Sequence, residues 1–282
     1  MFSDIIGNDK LKKELIHSVE INKTSHSYLF IGTEGIGKKL IAEEFAKMLL
    51  AVKDTENSPD FSIIEPDGNS IKIEPIRELQ KKIQEKPIIS EKKVYIIDQA
   101  DLMTKEAQNC LLKTLEEPPE FVTIILVGTN ENAFLTTIKS RCMILHFNPI
   151  EDLDIKKFLE NNYQMNNISQ SMLEVFQGSI GKAILLRTKL EQYLELEKMI
   201  DKLDKVDLIE LIEFADVLYK LKEEIYDMLD YINIILLKKA KKDYIYTNCI
   251  KIVENTKKRL QQNANYDMCI DNLVFNIWEE VN

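Results

Sequence analysis

The chain has 282 residues and a formal charge of −10, with 37 basic side chains against 47 acidic ones. Its 45% hydrophobic and 30% charged content, with 8 Gly and 7 Pro, excludes disordered, collagen-like and Gly/Pro-punctuated all-β architectures. The acidity is spread over both halves with no basic tail, which argues against a chain whose main task is gripping DNA or RNA.

In chain order, the first 15 residues are helical in pattern and carry acids where a signal peptide needs an unbroken apolar core. Apolar, β-branched runs follow at 27–31, 60–65, 93–98, 122–128 and 141–147, as expected of strands buried on both faces of a parallel sheet. Helical stretches fall between them at 37–51, 73–86 and 104–117, and this alternation predicts a doubly wound α/β domain over 1–150. Thr104 is the expected N-cap of the third stretch and Pro118-Pro119 its stop. Beyond Pro149 the pattern is all helical. Ser169 caps a helix closed by Gly178, Ser179 caps the next, and Asp207 opens an amphipathic run over 208–221. Further amphipathic stretches cover 223–240, 247–264 and 267–281.

Cys110, Cys142, Cys249 and Cys269 form no CxxC pair, so neither a disulfide framework nor a metal site is expected. Apolar runs such as Ile234–Leu237 fall far short of the ~20 residues of a membrane helix, and the expected location is cytoplasmic.

The segment Gly32-Thr33-Glu34-Gly35-Ile36-Gly37-Lys38-Lys39 follows a predicted strand and opens a predicted helix. That is the setting of a phosphate loop, whose backbone N–H groups wrap phosphates while Lys38 reaches the outer ones; the plain alternative is a glycine-rich turn. Lys39 stands where a hydroxyl would meet Mg²⁺, and an ammonium is a poor metal neighbour. The run 93–98 ends in Asp98, the carboxylate expected to organise the metal, but the next residue is Gln99. An amide cannot take a proton from water at neutral pH, so hydrolytic chemistry is expected to be impaired. Thr129 and Asn130, ending the fourth strand, are placed either to sense a phosphate or simply to cap the sheet. Ser140-Arg141-Cys142 opens the last strand, and from spacing alone Arg141 reads as a surface residue or a salt-bridge partner.

With these pieces the chain resembles the clamp-loader family of the AAA+ class, and within it the delta-prime subunits of bacterial DNA polymerase III. The resemblance is carried by Phe2–Gly7, 27–39, 64–79, 93–120, the 140–142 triplet and 259–278. It implies an AAA+ P-loop α/β domain over 1–150, a small helical lid over 151–190 and an all-α collar over 191–282. It also implies a hetero-pentamer with gamma/tau-type ATPase and delta-type subunits. That assembly opens a sliding clamp, which this chain meets indirectly and with little direct DNA binding. In that family the arginine of the triplet reaches the neighbour's ATP, so the resemblance makes Arg141 an arginine finger acting in trans. Residues 51–61 lack the cysteines of the zinc module found in many relatives, and no zinc is expected. Gly181 stands where active relatives carry a nucleotide-sensing arginine. The nucleotide site of Gly32, Gly35, Gly37, Lys38, Lys39, Asp98, Thr129 and Asn130 is thus expected to be degenerate. Two occupancies stay open, ATP or ADP held weakly and an empty loop. The alternative is a working P-loop ATPase, the motor subunit of the same loader.

Overall fold

A computed structural model of the chain describes residues 2, 5–165, 168–203, 205–206 and 208–282, with the backbone alone at 190 and 208. The expected opening residues Ser3 and Asp4 and the expected cap Asp207 lie outside the described residues. The chain divides into two compact units, residues 1–155 with 178–181, and residues 156–177 with 182–282.

The first unit is a five-stranded sheet in the order β2-β3-β4-β1-β5, with every pairing parallel. Its strands are β1 Ser27–Ile31, β2 Phe61–Ile64, β3 Lys93–Ile97, β4 Val122–Gly128 and β5 Met143–His146. The helices α1 Asp9–Glu20, α2 Lys38–Leu50, α3 Ile73–Ile83, α4 Lys105–Glu116 and the short α5 Thr136–Lys139 alternate with them. The central strands β1, β3 and β4 are buried at every residue, which is why they carry unbroken apolar runs. Strand side chains alternate between faces. Leu29, Ile31, Ile97, Ile124 and Leu126 meet Ile76, Leu79 and Ile83 of α3 and Leu111 and Leu115 of α4 on one face. Tyr28 points to the other and packs edge-on against Phe45 of α2, ring centroids 5.2 Å apart. Each such apolar side chain taken fully out of water contributes about 1.5–3 kcal/mol.

Helix α4 begins where Thr104 accepts a hydrogen bond from the Ala107 amide at 3.2 Å, as its sequence predicts. The loop entering β3 is held differently. The Asp60 carboxylate is buried and accepts from the backbone N–H groups of Ile88, Ile89 and Ser90 at 2.7, 2.8 and 2.8 Å. Burial alone would raise its pKa; the three amides outweigh that and hold it below the usual carboxylate range.

No strand follows β5 among the described residues. After α6 Asp152–Tyr163 come α7 Gln170–Phe176, α8 Ile180–Leu186, α9 Leu190–Asp201, α10 Leu208–Lys220, α11 Ile225–Ala240, α12 Tyr246–Gln261 and α13 Tyr266–Val281. Ser169 caps α7 by accepting from Met172 N–H at 3.3 Å, and Gln177 leaves that helix in the left-handed region just before Gly178. The second unit is all helical, with α11, α12 and α13 joined in turn by short loops and α10 packed on α13. Its apolar core takes Met228, Leu229, Ile232 and Leu236 from α11, Val253 from α12 and Ile270, Leu273 and Ile277 from α13. A polar chain crosses it: Tyr231 OH and Ser171 OH donate to the two oxygens of Glu197 at 2.8 and 3.0 Å, tying α11 and α7 to α9. Trp278 Nε1–H donates to the Val206 carbonyl at 3.1 Å, fastening α13 to the segment after α9.

Candidate functional site

Parallel strands place their following loops at one end of the sheet, where ligands of such folds bind. Here that end collects the loop 32–37 after β1, Asp98 after β3, and Thr129 and Asn130 after β4. The structure therefore brings together every predicted nucleotide-site residue.

Within the loop, Lys38 is buried and turned inward, its Nζ donating to the carbonyls of Gly32 and Thr33 at 2.6 Å each. Burial lowers its pKa, opposed by the charges of Asp101, Asp98 and Glu34. Lys39 Nζ lies 3.3 Å from Asp98 Oδ2 and also pairs with Glu65 Oε1. Burial pulls its pKa down, but those two carboxylates more than compensate and the net shift is upward, towards a firmly held charge. The other Asp98 oxygen accepts the Gln99 amide at 3.0 Å. This donor set does not suit Mg²⁺. The position that should offer a hydroxyl offers an ammonium, which has no acceptor and already pairs with the carboxylate that would hold the ion.

Thr129 and Asn130 serve Asp101. Its Oδ2 accepts from Thr129 Oγ1 at 2.7 Å and from the Thr129 and Asn130 amides at 3.2 Å each. The Asn130 side-chain oxygen accepts from the Asn132 amide at 3.0 Å, so it caps the turn that follows. This geometry favours sheet-end capping over phosphate sensing for both residues.

Gly181 touches the loop directly. Its N–H donates to the Gly35 carbonyl at 2.8 Å. A Cβ on Gly181 would stand 2.7 Å from Gly35 Cα, and one on Gly35, whose φ is +73°, would meet Ser179 Oγ at 2.3 Å. Two glycines are what allow these backbones to meet.

Arg141 is elsewhere. The pairing of Tyr28 with Met143 sets it level with the start of β1, about 20 Å of strand away from Gly32. Its guanidinium donates to Glu116 Oε1 at 2.7 Å and to the Thr137 carbonyl at 2.9 Å, and it remains partly exposed. A residue so placed cannot reach its own phosphate loop. The neighbouring Cys142 thiol is pushed up to about 12 by burial, which makes it an inert packing group.

Sequence reasoning missed Glu65, Glu116 and the tying role of Asp101. For Asp101 a signal existed, a second acid three residues past the strand-ending Asp98. For Glu65 and Glu116 there was none.

Residues 7–151 match the family model described as DNA polymerase III, delta subunit, which covers half of the chain. The chain belongs to this family, the clamp-loader proteins that the sequence resembles. It is 34% identical over 206 residues to the tau/gamma subunit of DNA polymerase III from Haemophilus influenzae, covering 66% of this chain and 30% of that protein. It is 31% identical over 212 residues to the delta' subunit from Bacillus subtilis, covering 69% of this chain and 63% of that protein. The chain thus spans less than two thirds of the length of these relatives. A crystal structure of a DNA polymerase III gamma subunit-related protein from Thermotoga maritima is similar with a TM-score of 0.55, over 95% of this chain and 99% of that one, at 20% identity. That likeness is one of fold, and with the strand order above it agrees with a parallel P-loop-type α/β sheet followed by an all-helical region. Among the described residues no helix is long and apolar enough to cross a membrane.

Proposed function

We propose that this family member is a non-hydrolysing clamp-loader subunit, delta-prime in kind, that works in the cytoplasm within a hetero-pentamer of gamma/tau-type and delta-type partners. The observation that carries this is the fate of the acids beside the phosphate loop. The position after Asp98 holds Gln99, which cannot act as a base, and the next acid, Asp101, is bound by Thr129 and Asn130. Neither of these two positions offers a free carboxylate to activate a water. The loop holds ATP or ADP weakly or stays empty, and neither Mg²⁺ nor zinc belongs to the chain. In this reading residues 1–150 form the AAA+ domain, 151–190 the lid and 191–282 the collar through which subunits assemble. Contact with DNA is slight and with the sliding clamp indirect.

Arg141 is the proposed arginine finger. Its distance from its own loop and its exposed position support donation to a neighbour's ATP, where a cation supplied in trans stabilises charge on the transferred phosphoryl group.

The test has two arms. The isolated chain with Mg-ATP should release no phosphate above buffer, and turnover there would instead favour the motor-subunit reading, which rests on Lys38 and Asp98. In the reconstituted complex, Arg141→Ala should slow the facing ATP site by about 10³-fold, and unchanged complex ATPase would sink the finger.

A further inference from the structure

Strands β2 and β3 run parallel with Ile64 opposite Ile97, so the residues that follow them, Glu65 and Asp98, emerge side by side at the loop end of the sheet. Two adjacent carboxylates facing a phosphate loop repel each other and call for a cation between them; folds of this kind place a divalent metal there. Here the second residue of α2 supplies the charge. The Lys39 ammonium lies 3.3 Å from Asp98 and pairs with Glu65 as well. One turn further along the same helix, Glu43 adds a third acid whose field acts on the group.

We propose that Lys39 is a tethered cation that takes the place of the divalent ion, so that the loop treats a nucleoside polyphosphate the same with and without Mg²⁺. The chemistry of the position supports it. A protonated amine has donors and no lone pair, so it satisfies carboxylate and phosphate oxygens but cannot share a coordination shell with Mg²⁺, which demands six oxygens in near-ideal octahedral array. The covalent tether also means that the charge is always present, whatever the metal concentration. The inference deepens the phosphate-loop reading and rests on it. It does not depend on the absence of hydrolysis, which rests on Gln99 and Asp101.

Calorimetric titration of the full chain with ATP, in Mg²⁺ and in EDTA, tests the proposal. Both wild-type isotherms should show binding and should superimpose, and heat of dilution alone in both would overturn the proposal. Lys39→Thr restores a hydroxyl and removes the competing charge, and Mg²⁺ should then tighten ATP by about tenfold or more. Asp98→Asn should act in the sense opposite to that expected of a metal ligand. By releasing the ammonium towards phosphate, it should tighten ATP in EDTA by about threefold, and it carries the test if the Lys39 variant does not fold. Mg²⁺-enhanced binding by the wild type, indifference of folded Lys39→Thr to Mg²⁺, or weaker binding by Asp98→Asn would each overturn the proposal. Phosphate release measured on the same samples separates the two readings. Turnover with superimposed isotherms overturns the non-hydrolysing subunit alone, whereas a Mg²⁺ effect on the wild type without turnover overturns the tethered cation and leaves the absence of hydrolysis standing.

Discussion

The ion pair between Arg141 and Glu116 is open to solvent on the Glu116 side and half-buried on the other, and pairs near the surface contribute only about 0–1 kcal/mol. The Thr137 carbonyl also holds the guanidinium, so exchanging Glu116 for a phosphoryl oxygen would cost little. Glu116→Gln should therefore change the unfolding free energy by less than about 1 kcal/mol in denaturant titration. A loss of several times that size would make Arg141 a structural residue. Asp60 is the opposite case. Its buried carboxylate accepts three backbone N–H groups, and hydrogen bonds to a charged group are individually among the stronger ones. Asp60→Ala should cost about 2 kcal/mol. Because the folded carboxyl titrates below the ordinary value near 4, its contribution is full above that value and is lost as the pH falls through the lowered folded pKa. Asp60→Asn should accordingly flatten the acid limb of stability below about pH 4 and leave the slope at neutral pH unchanged. Melting curves taken across pH would check both statements.

Among the elements, the contact between the phosphate loop and the start of α8 leaves no room for a side chain. A methyl group on Gly181 would meet backbone atoms of Gly35, which cannot swing aside as a side-chain tip can. Gly181→Ala should therefore cost about 1–3 kcal/mol by overpacking. Gly181→Arg should break the bond from its N–H to the Gly35 carbonyl rather than install a nucleotide sensor. A thermal melt combined with ATP titration would check this, with lower stability and no gain in affinity expected. How far the elements were legible in the sequence follows from burial. Strands β1, β3 and β4 announced themselves because both of their faces are covered and their apolar runs are unbroken. The last strand was read too long, since Arg141 and Cys142 precede the first paired residue, Met143. Thr104 and Ser169 were legible as caps because a cap is a local arrangement. The ion partners of Lys39 were not, for Glu65 is 26 positions away and the two meet only once β2 has taken its place beside β3. The meeting of Gly35 with Gly181 was hidden for the same reason: one reads as a phosphate-loop glycine, the other as the place of a missing arginine, and nothing local links them.

At the scale of the whole molecule, the net charge of −10 does not exclude a replication protein, since the resemblance and the family both assign the chain to that process while its proposed contacts are with proteins. The two compact units have separate cores, one built on a parallel sheet and one on helices, and each has its own reasons to be stable. Their unfolding should therefore proceed in more than one step. Trp278, whose indole N–H binds the Val206 carbonyl, is the only tryptophan in the sequence and belongs to the helical unit. The sheet unit carries no indole. Tryptophan emission thus follows the melting of one half, while far-ultraviolet circular dichroism follows both, and the two denaturation curves of the unlabelled chain should fail to coincide. A single stitch at the end of α13 makes the protein its own optical reporter, able to say which half gives way first.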